Sequence, residues 1–201
     1  YFLQRSIPIE VLSMQRILNS GQAEQTINKS RFIAVVEYCD SEQAVTMCLR
    51  KLSSANQSAS HLAYAFRIKT PQGTIQRFSD AGEPSGTAGK PILQFIEGRD
   101  LINICVGVIR YYGGINLGTG GLARSYGGTA RLAIEAARLI PFVEMCQIRL
   151  LLDYSRLDGF TRELAKVNGE ILDKQFGERV AVLASLPVSA ATAMQRHYGE
   201  G

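Results

Sequence analysis

The segment RYYGGINLGTGGLARSYGG, Arg110 to Gly128, holds seven of the chain's 19 glycines beside two arginines and three tyrosines. It follows LINICVGVIR, an apolar run of strand length, so a buried strand must pass directly into a stretch of bare backbone. Glycine there either lets the chain turn and pack tightly or brings backbone N–H groups up to a ligand. Helical spacing resumes from Gly120 to Leu139, which predicts a long helix whose first turn carries unpaired donors. Gly127 and Gly128 fall inside that helix, where each costs about 1 kcal/mol against alanine. Close packing of the helix on a sheet is the simplest reason to keep them.

Upstream, Thr26 to Tyr38 reads as a strand, and the residues from Ser41 open a helix with capping chemistry. His61 to Ser79 alternates around the turn signal Thr70-Pro71-Gln72-Gly73, a hairpin. Ser85 is expected to cap a short helix through Lys90 to Ile96. Near Pro141 the character changes: residues 1–140 carry 15 Lys+Arg against 10 Asp+Glu, a balance of +5, and 141–201 carry 7 against 8, or −1. The expected organisation is therefore two domains, 1–140 and 141–201. The second reads as strand 144–152, helix 155–167, strands 169–176 and 179–186, and helix 189–198. That βαββα order is one strand short of a ferredoxin-like unit.

Composition excludes several classes. With 46% hydrophobic and 20% charged residues the chain is ordinary globular material. It has no apolar run of the roughly 18 residues a bilayer requires, and its opening YFLQRSIPIEVLSM lacks a secretory h-region. A cytoplasmic protein with no membrane partner is expected. Cys39, Cys48, Cys105 and Cys146 form no CxxC pair, and only His61 and His197 could join them as soft ligands. Free thiols and no metal site follow. Gly118-Thr119-Gly120-Gly121-Leu122-Ala123 satisfies the letters of a dinucleotide fingerprint, but a loop separates it from the strand and no ribose-binding acid follows. Gly86 to Pro91 is too short for a P-loop, and Pro91 stands where the magnesium-holding Ser/Thr belongs. No cofactor is expected.

What survives is a pair of glycine-rich turns, each opening a helix, where free N–H groups and the helix dipole favour an anion. Ser85, Gly86, Thr87 and Lys90 belong to the first; Arg110, Tyr111, Gly113, Gly114, Gly118, Thr119, Gly120, Gly121 and Arg124 belong to the second. Arg124, Arg131 and Arg138 recur at sevens along the long helix, either as a phosphate-tracking stripe or as a solvated face paired through Glu135. Tyr111 and Tyr112 could stack on bases. His61, Asp80 and Glu83 supply acid–base groups near the first turn, yet no spacing marks a triad or a nucleophile elbow, so catalytic residues stay unassigned.

Three motifs in this order, NKSRFIA (Asn28 to Ala34), RFSDAGEPSGTAGKPIL (Arg77 to Leu93) and RYYGGINLGTGGLARSYGG, resemble the YigZ/IMPACT family. The resemblance covers about residues 20–140, and the rest is similar to the small domain of bacterial YigZ proteins. Leu62-Ala63 stand where the family commonly has Asn/His-Cys. The resemblance implies an α/β (α+β) fold: a first domain similar to domain four of elongation factor G and a ferredoxin-like second domain. It also implies a role in translation, since eukaryotic IMPACT proteins regulate it under stress by competing for a kinase activator. Three readings follow: an RNA- or ribosome-binding regulator using Lys29, Arg31, Lys90, Arg110 and Arg124; an enzyme acting on a phosphorylated small ligand; and a stress regulator that binds a regulatory protein partner.

Overall fold

The computed structural model describes residues 14–199, so the reading of the opening segment falls almost wholly outside the described residues. The chain divides into two compact units that part between Phe142 and Val143.

In the first unit, β1 (Gln15–Asn19), β2 (Gly21–Ile27), β3 (Ser30–Tyr38), α1 (Glu42–Ala55), β4 (His61–Thr70), β5 (Gly73–Ser79), α2 (Gly89–Gly98), β6 (Ile104–Tyr111), α3 (Gly118–Ala136) and β7 (Arg138–Pro141) follow in order. Five strands form one sheet in the order β2-β3-β6-β4-β5, with every neighbouring pair antiparallel. A parallel dinucleotide-binding sheet is thereby excluded as the frame for the glycine stretch.

The alternation of strand side chains separates two cores. Phe32, Ala34 and Val36 of β3, Ala63 and Ala65 of β4 and Val106 and Val108 of β6 bury against α2 and α3. The opposite parity, including Cys105 with Val45 and Ile109 with Leu52, lies under α1. Ser41 caps α1, its hydroxyl accepting from the Ala44 N–H at 3.2 Å.

Four local expectations are corrected. The strand expected over 26–38 is a hairpin, because Asn28 and Lys29 take φ of 46° and 64°, the left-handed pair of a two-residue primed turn. With Lys in place of the usual Gly, the turn signal is faint. Ser85 does not cap α2; the helix begins at Gly89 with no local side-chain cap. The long helix ends at Ala136, after which Ala137 is extended and β7 pairs with β1. Gly127 also faces a helix rather than the sheet, since a Cβ there would lie 3.4 Å from the Pro91 Cβ of α2.

The second unit contains β8 (Met145–Leu152), α4 (Tyr154–Lys166), β9 (Glu170–Phe176), β10 (Val180–Pro187) and α5 (Val188–Tyr198). Its sheet order is β8-β10-β9, antiparallel throughout, which is the arrangement of the first three strands of a ferredoxin-like domain. Phe160, Leu164, Met194 and Tyr198 from the helices cover the inward residues of β8 and β10. No helix among the described residues is long and apolar enough to cross a membrane.

Candidate functional site

The register of the large sheet assembles a polar cluster at one end of the face under α2 and α3. Arg110, in line with the buried Val106 and Val108, pairs across to Phe32 on β3 and to His61 on β4. An arginine that continues an apolar file must find compensation, because a buried unpaired charge costs several kcal/mol. Glu83 provides it: Arg110 Nη1 donates to Glu83 Oε1 at 2.7 Å, with both side chains only 5% exposed. Tyr126 of α3 donates its hydroxyl to the same oxygen at 2.8 Å. Burial, reinforced by that carboxylate, pushes the Tyr126 phenol well above its ordinary pKa and keeps it a donor. Arg110 Nη2 donates to the buried Ser30 hydroxyl at 3.3 Å, and the Gly113 N–H donates to the same oxygen at 3.2 Å. Arg110 Nε has no hydrogen-bond partner among the described residues; the rings of Phe32 and Tyr112, centred 5.6 and 5.1 Å from the guanidinium carbon, cover the group instead.

His61 stands at the edge of this cluster with its side chain 27% exposed. Its Nδ1 lies 2.8 Å from the Ala81 carbonyl oxygen, which can only accept, so Nδ1 is the donor of this bond and Nε2 is the ring nitrogen left toward the cluster. Nε2 is 3.9 Å from Glu83 Oε1. That is too long for a hydrogen bond.

The loop between β5 and α2 is organised by Asp80. Its Oδ2 accepts from the Gly86 N–H at 2.8 Å, and Oδ1 accepts from Ala88 and Gly89 at 3.0 and 2.8 Å. Burial would raise the Asp80 carboxyl, but the N–H groups of Gly86, Ala88, Gly89 and Lys90 together hold it below its ordinary value. The protein thus supplies its own anion to the first turn, and donors expected to be free for a ligand are occupied. Thr87 is buried with its hydroxyl donating to the Pro84 carbonyl at 2.6 Å, and Ser85 is exposed.

The second turn is different. Leu117 makes no side-chain cap to α3, the first turn holds no acid, and Gly118, Thr119 and Gly120 are exposed. Beside it runs an open groove of about 370 Å³ between β2 and α3, lined by Gln25, Asn28, Gly121, Arg124, Gly128 and Arg131 among others. Arg124 and Lys29 are exposed and have no carboxylate within ion-pair distance among the described residues, as is Lys90 at the start of α2. Arg131 pairs with Glu135 at 3.2 Å, and Arg31 with Glu24 at 2.6 Å. Among the described residues no group of three or more His, Cys, Asp or Glu is placed to hold a metal ion.

The Impact N-terminal domain matches residues 28–134, a span that contains Ser30, His61, Asp80, Glu83, Arg110 and Tyr126. The chain belongs to the IMPACT family. It is 33% identical over 166 residues to the IMPACT family member YigZ of Escherichia coli K12, covering 82% of this chain and 81% of that protein. It is 35% identical to the IMPACT family member YvyE of Bacillus subtilis 168, covering 82% and 75%. A crystal structure described as a hypothetical protein, 30% identical, superposes with a TM-score of 0.69 over 92% of this chain and 90% of its own. The two-domain translational regulator Yih1, 28% identical over 68% of this chain and 53% of its own, superposes at a TM-score of 0.41, too loose to carry a structural argument.

Within this IMPACT domain the motif residues go to separate places. His61, Glu83 and Arg110 meet, joined by Ser30 and Tyr126, which motif reading did not select. Tyr126 falls in the buried stripe Leu122, Tyr126, Ala130, Ala133, so only its place on the core face could have marked it. Arg110 is 4% exposed, and this corrects its assignment as a surface cation. Tyr111 points to the opposite face, where its hydroxyl donates to the side chain of Asn56, just past the end of α1, at 2.8 Å. Gly113 serves close approach, since a Cβ there would lie 2.1 Å from the Lys29 carbonyl carbon; Gly114 and Gly118 take φ of 83° and 69° in the exposed loop. Gly121 and Arg124 line the groove, and Gly120 is exposed in the first turn of α3.

Proposed function

We propose that this IMPACT-family protein is a regulator of translation that binds RNA, free or on the ribosome, along the groove between β2 and α3. The observation that carries the reading is the groove itself: Arg124 and Arg131 on one wall, Asn28 and the neighbouring Lys29 at its end, and the uncapped start of α3 beside it. An open channel with spaced cations and exposed backbone donors suits a repeating phosphate better than a single compact ligand. The test is fluorescence anisotropy of a labelled single-stranded RNA across a salt series. Replacing Lys29 or Arg124 with alanine should each lower the log–log salt slope by about one unit. Arg31→Ala should change it less, because Glu24 already neutralises that side chain. Binding that ignores both salt and these substitutions refutes the reading and favours a protein partner.

A second reading rests on His61. An imidazole with Nδ1 fixed by a backbone carbonyl and Nε2 partly exposed beside a carboxylate has the orientation of a general base toward a small phosphorylated substrate. Under this reading His61→Ala abolishes turnover of such a substrate and leaves RNA affinity unchanged.

A further inference from the structure

The face of the sheet under α1 carries a feature that neither reading uses. Gly107 on β6 has no side chain, and a Cβ there would lie 2.7 Å from Leu52 Cδ1, so α1 settles directly on this strand. Cys48, one turn before Leu52, is thereby brought over Cys105, two residues before Gly107. Cys39 continues the β3–β6 ladder, its N–H donating to the Asn103 carbonyl at 3.0 Å, and its parity along the strand matches Glu37, the residue opposite Cys105. Three thiols so gather in one cluster with Val45, Phe66 and Ile68. Cys39 and Cys105 are 2% and 0% exposed, whereas Cys48 is partly exposed.

Cys39 and Cys48 together line an open groove of about 490 Å³ whose rim includes Tyr38, Met47 and Lys51. The Cys48 thiol is lowered, first by the thiols of Cys105 and Cys39, which hydrogen-bond to it, then by the charge of Lys51, against the opposing effect of burial. The Cys39 thiol, although lowered by Cys105, is pushed up to about 12 by Cys48 and by burial. A partly exposed thiol, packed against two buried thiols and beside a lysine, is the arrangement in which cysteine reacts with electrophiles. A solitary buried cysteine has none of these.

We propose that Cys48 is a hydroperoxide-reactive thiol and that Cys39 resolves it to an intramolecular disulfide. The Cys48 thiolate attacks the terminal peroxide oxygen; a sulfur–oxygen bond forms, the oxygen–oxygen bond breaks, and the alcohol or water leaves with a proton from solvent. The resulting sulfenic acid is attacked by the Cys39 sulfur, forming the sulfur–sulfur bond, while the sulfenic oxygen departs as water with the Cys39 proton. Two thiols give up two electrons and one peroxide accepts them. Cys105 supports the Cys48 thiolate from below and is not consumed.

The probe is hydrogen peroxide, added to the reduced full chain, followed by alkylation and peptide mass spectrometry. The proposal expects a Cys39–Cys48 link with Cys105 and Cys146 still alkylated. Cys39→Ser is expected to leave a Cys48 sulfenic acid that dimedone traps, and Cys48→Ser to slow thiol loss at least tenfold. A Cys39–Cys105 link, first oxidation at Cys146, or unchanged peroxide reactivity in Cys48→Ser overturns it. Should the serine variants fold poorly, iodoacetamide labelling of the unmodified protein between pH 5 and 9 still decides: Cys48 must label fastest at the acid end, and equal labelling of Cys48 and Cys146 there refutes the assignment.

Discussion

Removing the Glu83 carboxylate should damage the first unit more than removing both it and its partner. Glu83 Oε1 receives Arg110 Nη1 and the Tyr126 hydroxyl, in a place where both charged side chains are 5% exposed. In Glu83→Ala the guanidinium loses its carboxylate, keeps only the Ser30 hydroxyl as an acceptor, and cannot swing to water past Phe32 and Tyr112. An uncompensated buried charge of this kind costs about 3–5 kcal/mol. At roughly 2–4 °C per kcal/mol for a chain of this size, the melting temperature should fall by roughly 6–20 °C. In Glu83→Ala/Arg110→Met both charges are gone and an apolar chain continues the file of Val106 and Val108, so much of the loss should return. Urea unfolding of the four members of this cycle, followed by circular dichroism, measures the coupling. A Glu83→Ala cost below about 1 kcal/mol, or a double variant as unstable as the sum of the singles, would refute the view that this pair is a compensated buried charge rather than a screened surface contact.

Asp80 predicts a pH dependence: its folded carboxyl is lowered, so its contribution is complete above the unfolded value near 3.9 and is lost as pH falls through the folded value. Urea melts of the wild type should therefore weaken below about pH 4 more steeply than those of Asp80→Ala, which should already cost about 1–2 kcal/mol at pH 7 as a lost helix cap; parallel curves would sink the assignment. Gly113→Ala should destabilise by at least about 1–3 kcal/mol, because its Cβ would sit 2.1 Å from the Lys29 carbonyl carbon. Gly120→Ala should be neutral or stabilising by up to about 1 kcal/mol, since its Cβ meets only the mobile end of Arg124 at 3.4 Å; thermal melts of the two variants that came out alike would show that glycine in this stretch is not divided between packing and exposed positions.

Local chemistry determined the elements whose signals are local. Ser41 before an apolar-periodic run starts α1, the Thr70-Pro71-Gln72-Gly73 turn joins β4 to β5, and the apolar run ending at Arg110 is β6. The resemblance carried by three motifs pointed correctly to the IMPACT family and to a mixed α/β fold. The tertiary structure alone decided what the motif residues do. Arg110 and Glu83 are 27 positions apart and Arg110 and Ser30 are 80, and no residue type announces that an arginine near the end of a strand will be roofed by α3 rather than wetted. Asp80 caps a helix that begins nine residues later, so the acid and the donors it satisfies never look like neighbours in a capping pattern. The chain after Ala136 leaves its helix for a strand because β1, more than a hundred residues earlier, offers an unpaired edge. Helical and strand periodicities report which side of an element is apolar; which polar group meets which, and which cation keeps its water, depends on the register and approach of elements distant in the chain, fixed only when the sheet and its two helix layers close on one another.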